Sequence, residues 1–247
     1  MQLHTAVHAE NCPEAQVKVR KEINDLTSEE LQTFFEAVRA IQKREQPDKP
    51  SPYDTFSFNH YRYSAYTHGV PIFLPYHRYM LHVVEQELQK KYPSVTIPYW
   101  DWTAVSQAPE TASIFSPEMF GGNGRCPHSC VEDGVFKDFK PFYYVQGQTS
   151  CIQRIFDGGN GKIKPFPIVE HITSMIANSK DWHAFSTAIQ ITPHGRAHVG
   201  LGGGMNTMFS PNDPVFYLHH AFIDKMWYDW QKINPGARVY QYGGQVR

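Results

Sequence analysis

Long apolar runs are missing from this 247-residue sequence. No stretch approaches the ~20 consecutive apolar residues that a membrane-spanning helix needs. Residues 1–26 also lack the basic start and apolar centre of a secretory signal. A surplus of charge is missing too, since 23 Lys and Arg stand against 24 Asp and Glu. Without a basic field the chain has little to hold a nucleic acid backbone or an anionic membrane surface. Cysteine is scarce, at positions 12, 126, 130 and 151, which is too few for a disulfide scaffold. Cys126 and Cys130 flank His128, but two clustered thiols do not make the four-ligand set of a structural zinc site. A local disulfide and free thiols both remain open. These absences leave a soluble globular chain, either intracellular or the mature product of something longer. Its length suffices for a substantial core in one domain over residues 1–247.

Histidine is abundant, with thirteen residues, and Phe, Trp and Tyr make up 14%. Residues 1–26 read as an irregular arm. Thr27 and Glu30 form a capping box that opens a helix with Leu31, Phe34, Phe35, Val38 and Ile41 on one face. A second helix is expected over residues 53–66 and a third from about 74 to 88, separated by Gly69 and Pro71. Residues 103–167 are rich in proline and glycine and read as a long ordered loop with small strands, such as 140–145. So long a connector is expected to shape or cover a cavity. Helices follow at about 168–177 and 179–189. The last strong helix starts at Asp213-Pro214, runs through Phe216, His220, Ile223, Trp227 and Trp230, and stops at Pro235-Gly236. The expected class is mainly α: a four-helix core with long ordered loops and a few short strands.

Two groups of histidines coincide with these helical patterns. His194 and His198 are four residues apart, so on a helix both imidazoles share one face. His219 and His220 diverge by about 100°, so only one should face the same ion. His220 is favoured, because Asp224 lies one turn on and could accept its second imidazole proton. Three ligands leave an open position, as reactive metal sites require. His60, His68 and His77 repeat this arithmetic in the earlier helices. All-imidazole sets suit copper, zinc, iron or nickel, not calcium or magnesium. Two such sites on four buried helices would bridge one small molecule. His82 falls on a different face from His77, and His4, His8, His128, His171 and His183 are isolated; exposure or packing accounts for these.

The surrounding segments resemble the type-3 copper family of tyrosinases, catechol oxidases and molluscan hemocyanins. Residues 68–79, from His68-Gly-Val-Pro to His77-Arg78-Tyr79, are similar to the family's first copper motif, with Tyr76 in place of the usual Trp. Residues 210–224, Ser-Pro-Asn-Asp-Pro-Val-Phe-Tyr-Leu-His-His-Ala-Phe-Ile-Asp, resemble the second motif almost in full. Residues 97–102 resemble a core segment between the two. Features near Asn11-Cys12, Leu26–Glu30 and Cys130–Phe136 lean toward short fungal members. The resemblance implies one tyrosinase-like catalytic domain with two copper ions and dioxygen as co-substrate. It assigns the first copper to His60, His68 and His77 and the second to His194, His198 and His220. It also implies that Tyr240 and Tyr242 pair with Arg20, simple surface exposure being the competing reading; Val199, beside His198, is expected to line the substrate entrance or to pack. Arg78 is expected to tie its helix to a carboxylate, and Phe216 and Phe222 to pack the second-site helix.

Departures from the family pattern bear on the substrate. No cysteine is near His68, and Tyr66 stands two residues before it, so a short-range thioether to that histidine is not expected. Members active on monophenols follow the first histidine of the second site with Asn and carry a nearby Glu, which together hold a proton-accepting water. Here those positions are Gly195 and Gln190, and neither can serve as a base. The resemblance therefore implies oxidation of o-diphenols to o-quinones with weak or no monophenol hydroxylation. A full tyrosinase, an o-aminophenol oxidase, an oxygen carrier and a non-enzymatic copper protein are the alternative readings. A dinuclear zinc hydrolase is disfavoured, because no carboxylate is among the expected ligands.

Overall fold

The computed structural model describes residues 17–244. Its helices are α1 (Ser28–Gln42), α2 (Pro52–Thr67), α3 (Phe73–Gln89), α4 (Val169–Asn178), α5 (Trp182–Ile189), α6 (Gly195–Leu201), α7 (Val215–Ile233) and α8 (Pro235–Arg238). A π-helical turn, Gln190–His194, joins α5 to α6. The fold is mainly helical, as the periodicity implies. No described helix is long and apolar enough to cross a membrane. Of the expected N-terminal arm, residues 1–16 with His4, His8 and Cys12 lie outside the described residues.

The helix starts follow from local chemistry. Thr27 and Glu30 close the expected capping box on α1. A second box opens α2. Ser51 caps the Asp54 N–H, Asp54 returns a bond to the Ser51 N–H, and Pro52 supplies a preset φ at the first turn. The Asp54 carboxylate is fully buried and also accepts from the Ser51 hydroxyl at 2.8 Å, Arg44 Nε at 3.1 Å and the Phe142 N–H at 2.8 Å. It thus pins the start of α2 to the long loop.

That loop contains no strand over 140–145. Its backbone groups there are satisfied by side chains instead, with Tyr143 O accepting from Asn212 Nδ2 at 2.8 Å and the Phe142 N–H donating to Asp54. Among the described residues only isolated bridges occur, such as Glu22 with Tyr99 and Cys130 with Gln153. Cys130 and Cys151 form a disulfide, and Cys126 is an exposed thiol.

Helix α7 runs through the centre, and every residue from Val215 to Ile223 is buried, as expected for a helix that is apolar all round. Phe216 packs against His60, and Phe222 packs between Tyr99 and Trp102. Trp100 docks its N–H on Leu218 O at 3.1 Å. Arg154, fully buried, grips Asp213 with Nε at 2.6 Å and Nη2 at 2.9 Å, and its Nη1 binds Gly121 O. Asp213 in turn accepts the Val215 N–H at 3.0 Å, so this ion pair anchors the loop to the first turn of α7.

The termini are not tied by the expected tyrosine contact with Arg20. Two carboxylates outcompete a phenol for that cation, and Arg20 pairs with Glu85 at 2.8 Å and Asp224 at 3.3 Å. Tyr240 is 85% exposed, and Tyr242 packs against Trp182 instead. Replacing Arg154 with Ala leaves Asp213 buried without its partner, which should lower stability by about 3–5 kcal/mol in urea unfolding. A loss below about 1 kcal/mol would contradict the anchoring role.

Candidate metal centre

The two histidine groups fold into two adjoining clusters. His60 lies in α2, His68 caps its C-terminus and His77 lies in the first turns of α3; one nitrogen from each lies within 4.8 Å of the others. His194 ends the π-turn, His198 lies in α6, and His219 and His220 lie in α7, with the same mutual spacing. The clusters abut where the His77 and His220 rings stack at 4.2 Å and 10°.

Backbone carbonyls fix the tautomers. Nδ1 of His60 meets Met208 O at 2.8 Å, that of His77 meets Phe73 O at 2.8 Å and that of His198 meets Met205 O at 2.6 Å. Nδ1 of His68 and of His194 meets Ser64 O and Gln190 O, each at 3.1 Å. A carbonyl can only accept, so each Nδ1 carries the proton and each Nε2 keeps its lone pair. The Nε2 atoms of His60 and His77 then face each other at 3.4 Å with no proton between them. Those of His198 and His220 face each other at 3.3 Å. His194 Nε2 is buried without any partner. Converging lone pairs at this distance call for a cation. Two nitrogens each ~2.0–2.1 Å from one ion at a tetrahedral angle are ~3.3–3.4 Å apart, so the donor set fits two metal ions.

Burial keeps these rings neutral and ready to ligate. It pushes His60 down to about 3, with His68 adding to the effect, and His198 down to about 4. Burial likewise holds His77, His194 and His220 well below the ordinary histidine value and lowers His68.

His219 sits closer to the cluster than helical divergence suggests. Its Nδ1 accepts from Trp102 Nε1 at 3.4 Å, which places its own proton on Nε2 and removes that lone pair from ligation. Asp224 does not orient His220. Its carboxylate is taken by Arg78 Nε at 2.5 Å and Arg20 Nη1 at 3.3 Å, and His220 Nδ1 has no partner. Arg78 does tie α3 to a carboxylate, and its guanidinium lies 3.5 Å over the Trp227 ring.

The cavity over the histidines has a volume of about 130 Å³ and is lined by His60, His68, His194 and His198 together with residues 205–208 and Ser210. Segment 205–208 carries no motif of its own in the sequence; the glycines before it, Gly202-Gly203-Gly204, are the signal that could have found it. Gly202 adopts φ +58, and a Cβ there would sit 2.1 Å from Ile155 O. Only glycine allows this approach, which brings the Met205 and Met208 carbonyls onto the two rings. Gln190 Oε1 accepts the Gly69 N–H at 2.9 Å, and a Cβ on Gly195 would touch only Gln190 O, at 3.4 Å. Val199 is 45% exposed and lines a separate shallow groove with Ile191, Thr192 and residues 165–167, not the histidine cavity.

In the unfolded chain these histidines return to about 6.5, so below that pH the unfolded state binds more protons than the fold. The stability held by the neutral rings is complete above about pH 6.5 and is lost as pH falls toward the folded values. Thermal melts of the metal-free protein should show Tm falling steadily from pH 6.5 to 4.5. A flat Tm over that window would contradict buried neutral imidazoles.

Comparison with known proteins agrees with this geometry. The family profile described as the common central domain of tyrosinase matches residues 50–233. The tyrosinase of Streptomyces antibioticus is 32% identical, over 92% of this chain and 87% of that protein. A tyrosinase-like protein of Diaporthe leptostromiformis is 31% identical, over 92% of this chain but only 61% of that protein. Among solved structures, a polyphenol oxidase from Thermothelomyces thermophila superposes with a TM-score of 0.75 at 22% identity, covering 92% of this chain and 74% of that one. A functional unit of octopus hemocyanin reaches 0.57 at 23% identity, covering 89% and 54%. Motifs, paired imidazole clusters and family match together place the chain in the tyrosinase family of type-3 copper oxidoreductases, with a histidine set that fits a dinuclear copper site.

Proposed function

We propose that His60, His68 and His77 hold one copper ion and His194, His198 and His220 the other, and that the centre oxidises o-diphenols to o-quinones with weak or no hydroxylation of monophenols. The facing Nε2 lone pairs of His60 and His77 at 3.4 Å, with the approach of the His198 and His220 Nε2 atoms to 3.3 Å, support the ligand assignment most directly. Bound copper supplies the two-electron redox chemistry that couples the diphenol to dioxygen.

The chain's own residues supply position and access. Five carbonyls hold five of the rings so that their Nε2 atoms point at the centre. Phe216 packs against His60 and His220 at 5.1 and 4.2 Å and keeps water from the floor of the site. The cavity admits a single aromatic ring. No carboxylate lines it among the described residues, Gly195 offers no side chain, and the Gln190 oxygen is already occupied by Gly69. A monophenol must lose its proton before its ring can be hydroxylated, and no carboxylate among the described residues of the cavity is placed to take it. A catechol is more acidic and a better two-electron donor, so it needs that help less.

With copper loaded, kcat/KM for 4-methylcatechol should exceed that for tyrosine by about 100-fold or more, the scale of one missing general base. The double variant Gly195→Asn with Gln190→Glu should raise tyrosine hydroxylation about tenfold or more. Comparable wild-type rates on the two substrates would overturn the specificity reading. His198→Ala should lose one copper and nearly all turnover; a variant keeping both coppers and full rate would overturn the ligand assignment.

A further inference from the structure

The cavity over the histidines measures about 130 Å³. An apolar cavity of ~150 Å³ accommodates one benzene, so a single phenolic ring fills this one. Any further part of a substrate must rest on the surface around the mouth. On the α2 side, the residue after His60 is Tyr61, 49% exposed and stacked on Phe209 at 4.4 Å and 13°. Phe209 follows Met208, which lines the cavity and is 42% exposed. Phe58 lies 6.4 Å from Tyr61 and packs on Tyr143 at 4.6 Å, so the rings form a continuous, partly solvated aromatic face. The separate groove that Val199 lines with Ile191, Pro165 and Pro167 also holds Phe166 and Arg196.

We propose that Tyr61 and Phe209, with Met208 at the cavity edge, form a subsite for a second aromatic ring. The preferred substrates are then o-diphenols carrying an aryl group next to the catechol, not isolated catechol rings. The inference rests on the diphenol reading for what enters the cavity, and it adds what lies outside. Three observations carry it: a cavity sized for one ring, a stacked aromatic pair whose members directly follow the cavity-lining His60 and Met208, and exposure of Tyr61 and Met208 that packing among the described residues leaves unused. Stacked or edge-on aromatic pairs gain over an aliphatic contact of equal area through their ring quadrupoles. A thioether at the edge adapts to either ring orientation.

The test compares kcat/KM for 4-phenylcatechol and 4-cyclohexylcatechol, which match in size but not in π-character. Wild type should favour the phenyl compound by about two- to tenfold. Tyr61→Ala should bring that preference to about one, and Tyr61→Phe should retain it. The ratio cancels any loss common to both substrates, such as reduced copper loading. Calorimetric binding of biphenyl-4-carboxylate and 4-cyclohexylbenzoate, neither of which can form a quinone, repeats the comparison without turnover. If no catechol is oxidised but the binding preference falls in Tyr61→Ala, the subsite stands and the diphenol reading fails. If catechols are oxidised and the preference is absent or survives in Tyr61→Ala, the subsite is overturned alone. A preference abolished by Val199→Ala but not by Tyr61→Ala overturns it in favour of the Val199 groove.

Discussion

The commitment of imidazole Nδ1 protons to backbone carbonyls is the constraint on which the rest of this structure depends. A buried neutral histidine can present either nitrogen, and only the hydrogen bond at the other nitrogen decides which. Here the carbonyls of Ser64, Phe73, Gln190, Met205 and Met208 make that decision for five rings. The result is a set of lone pairs turned on one another in a dry interior, an arrangement that is unfavourable until cations occupy it. Stability in such a fold is linked to metal binding.

Much of the non-helical chain makes sense as support for those carbonyls. Three of them lie four residues before their histidine, so local helical geometry delivers them. The other two come from Met205, in the short 3-10 turn Gly203–Asn206, and from Met208 just beyond it. That segment is braced where Gly202 and Gly203 press on the backbone of residues 153–155. Arg154, in the same stretch, is tied to Asp213 at the start of α7. The Cys130–Cys151 disulfide closes the loop from which the stretch emerges. On the other side, buried Asp54 fixes the first turn of α2 and therefore the position of His60. The long loop is thus a brace for the centre more than a cover over it.

What the sequence made legible was whatever depends on short-range periodicity. The Thr27–Glu30 cap, the i, i+4 pair His194 and His198 and the buried face of α7 follow from helix geometry alone. What escaped depends on partners distant in the chain. Asp224 sits one turn from His220, as the spacing says, but two arginines from α3 and the N-terminal segment claim its carboxylate. The same competition leaves Tyr240 and Tyr242 without Arg20. Residues 140–145 read as a small strand, yet backbone groups there are met by the side chains of Asp54 and Asn212. The π-turn at Gln190–His194 was illegible for a different reason. Pro193 only hints at a widened turn, and one extra residue per turn changes where His194 points without changing the pattern of apolar residues.

Copper-edge anomalous diffraction from crystals of the copper-loaded protein tests the central claim most directly. The account predicts two peaks, ~3.5–4 Å apart as in two-metal sites, one within bonding distance of Nε2 of His60, His68 and His77 and the other of His194, His198 and His220, with His219 bonded to neither. A single peak, or a peak bonded to His219 in place of one of the six, would contradict it.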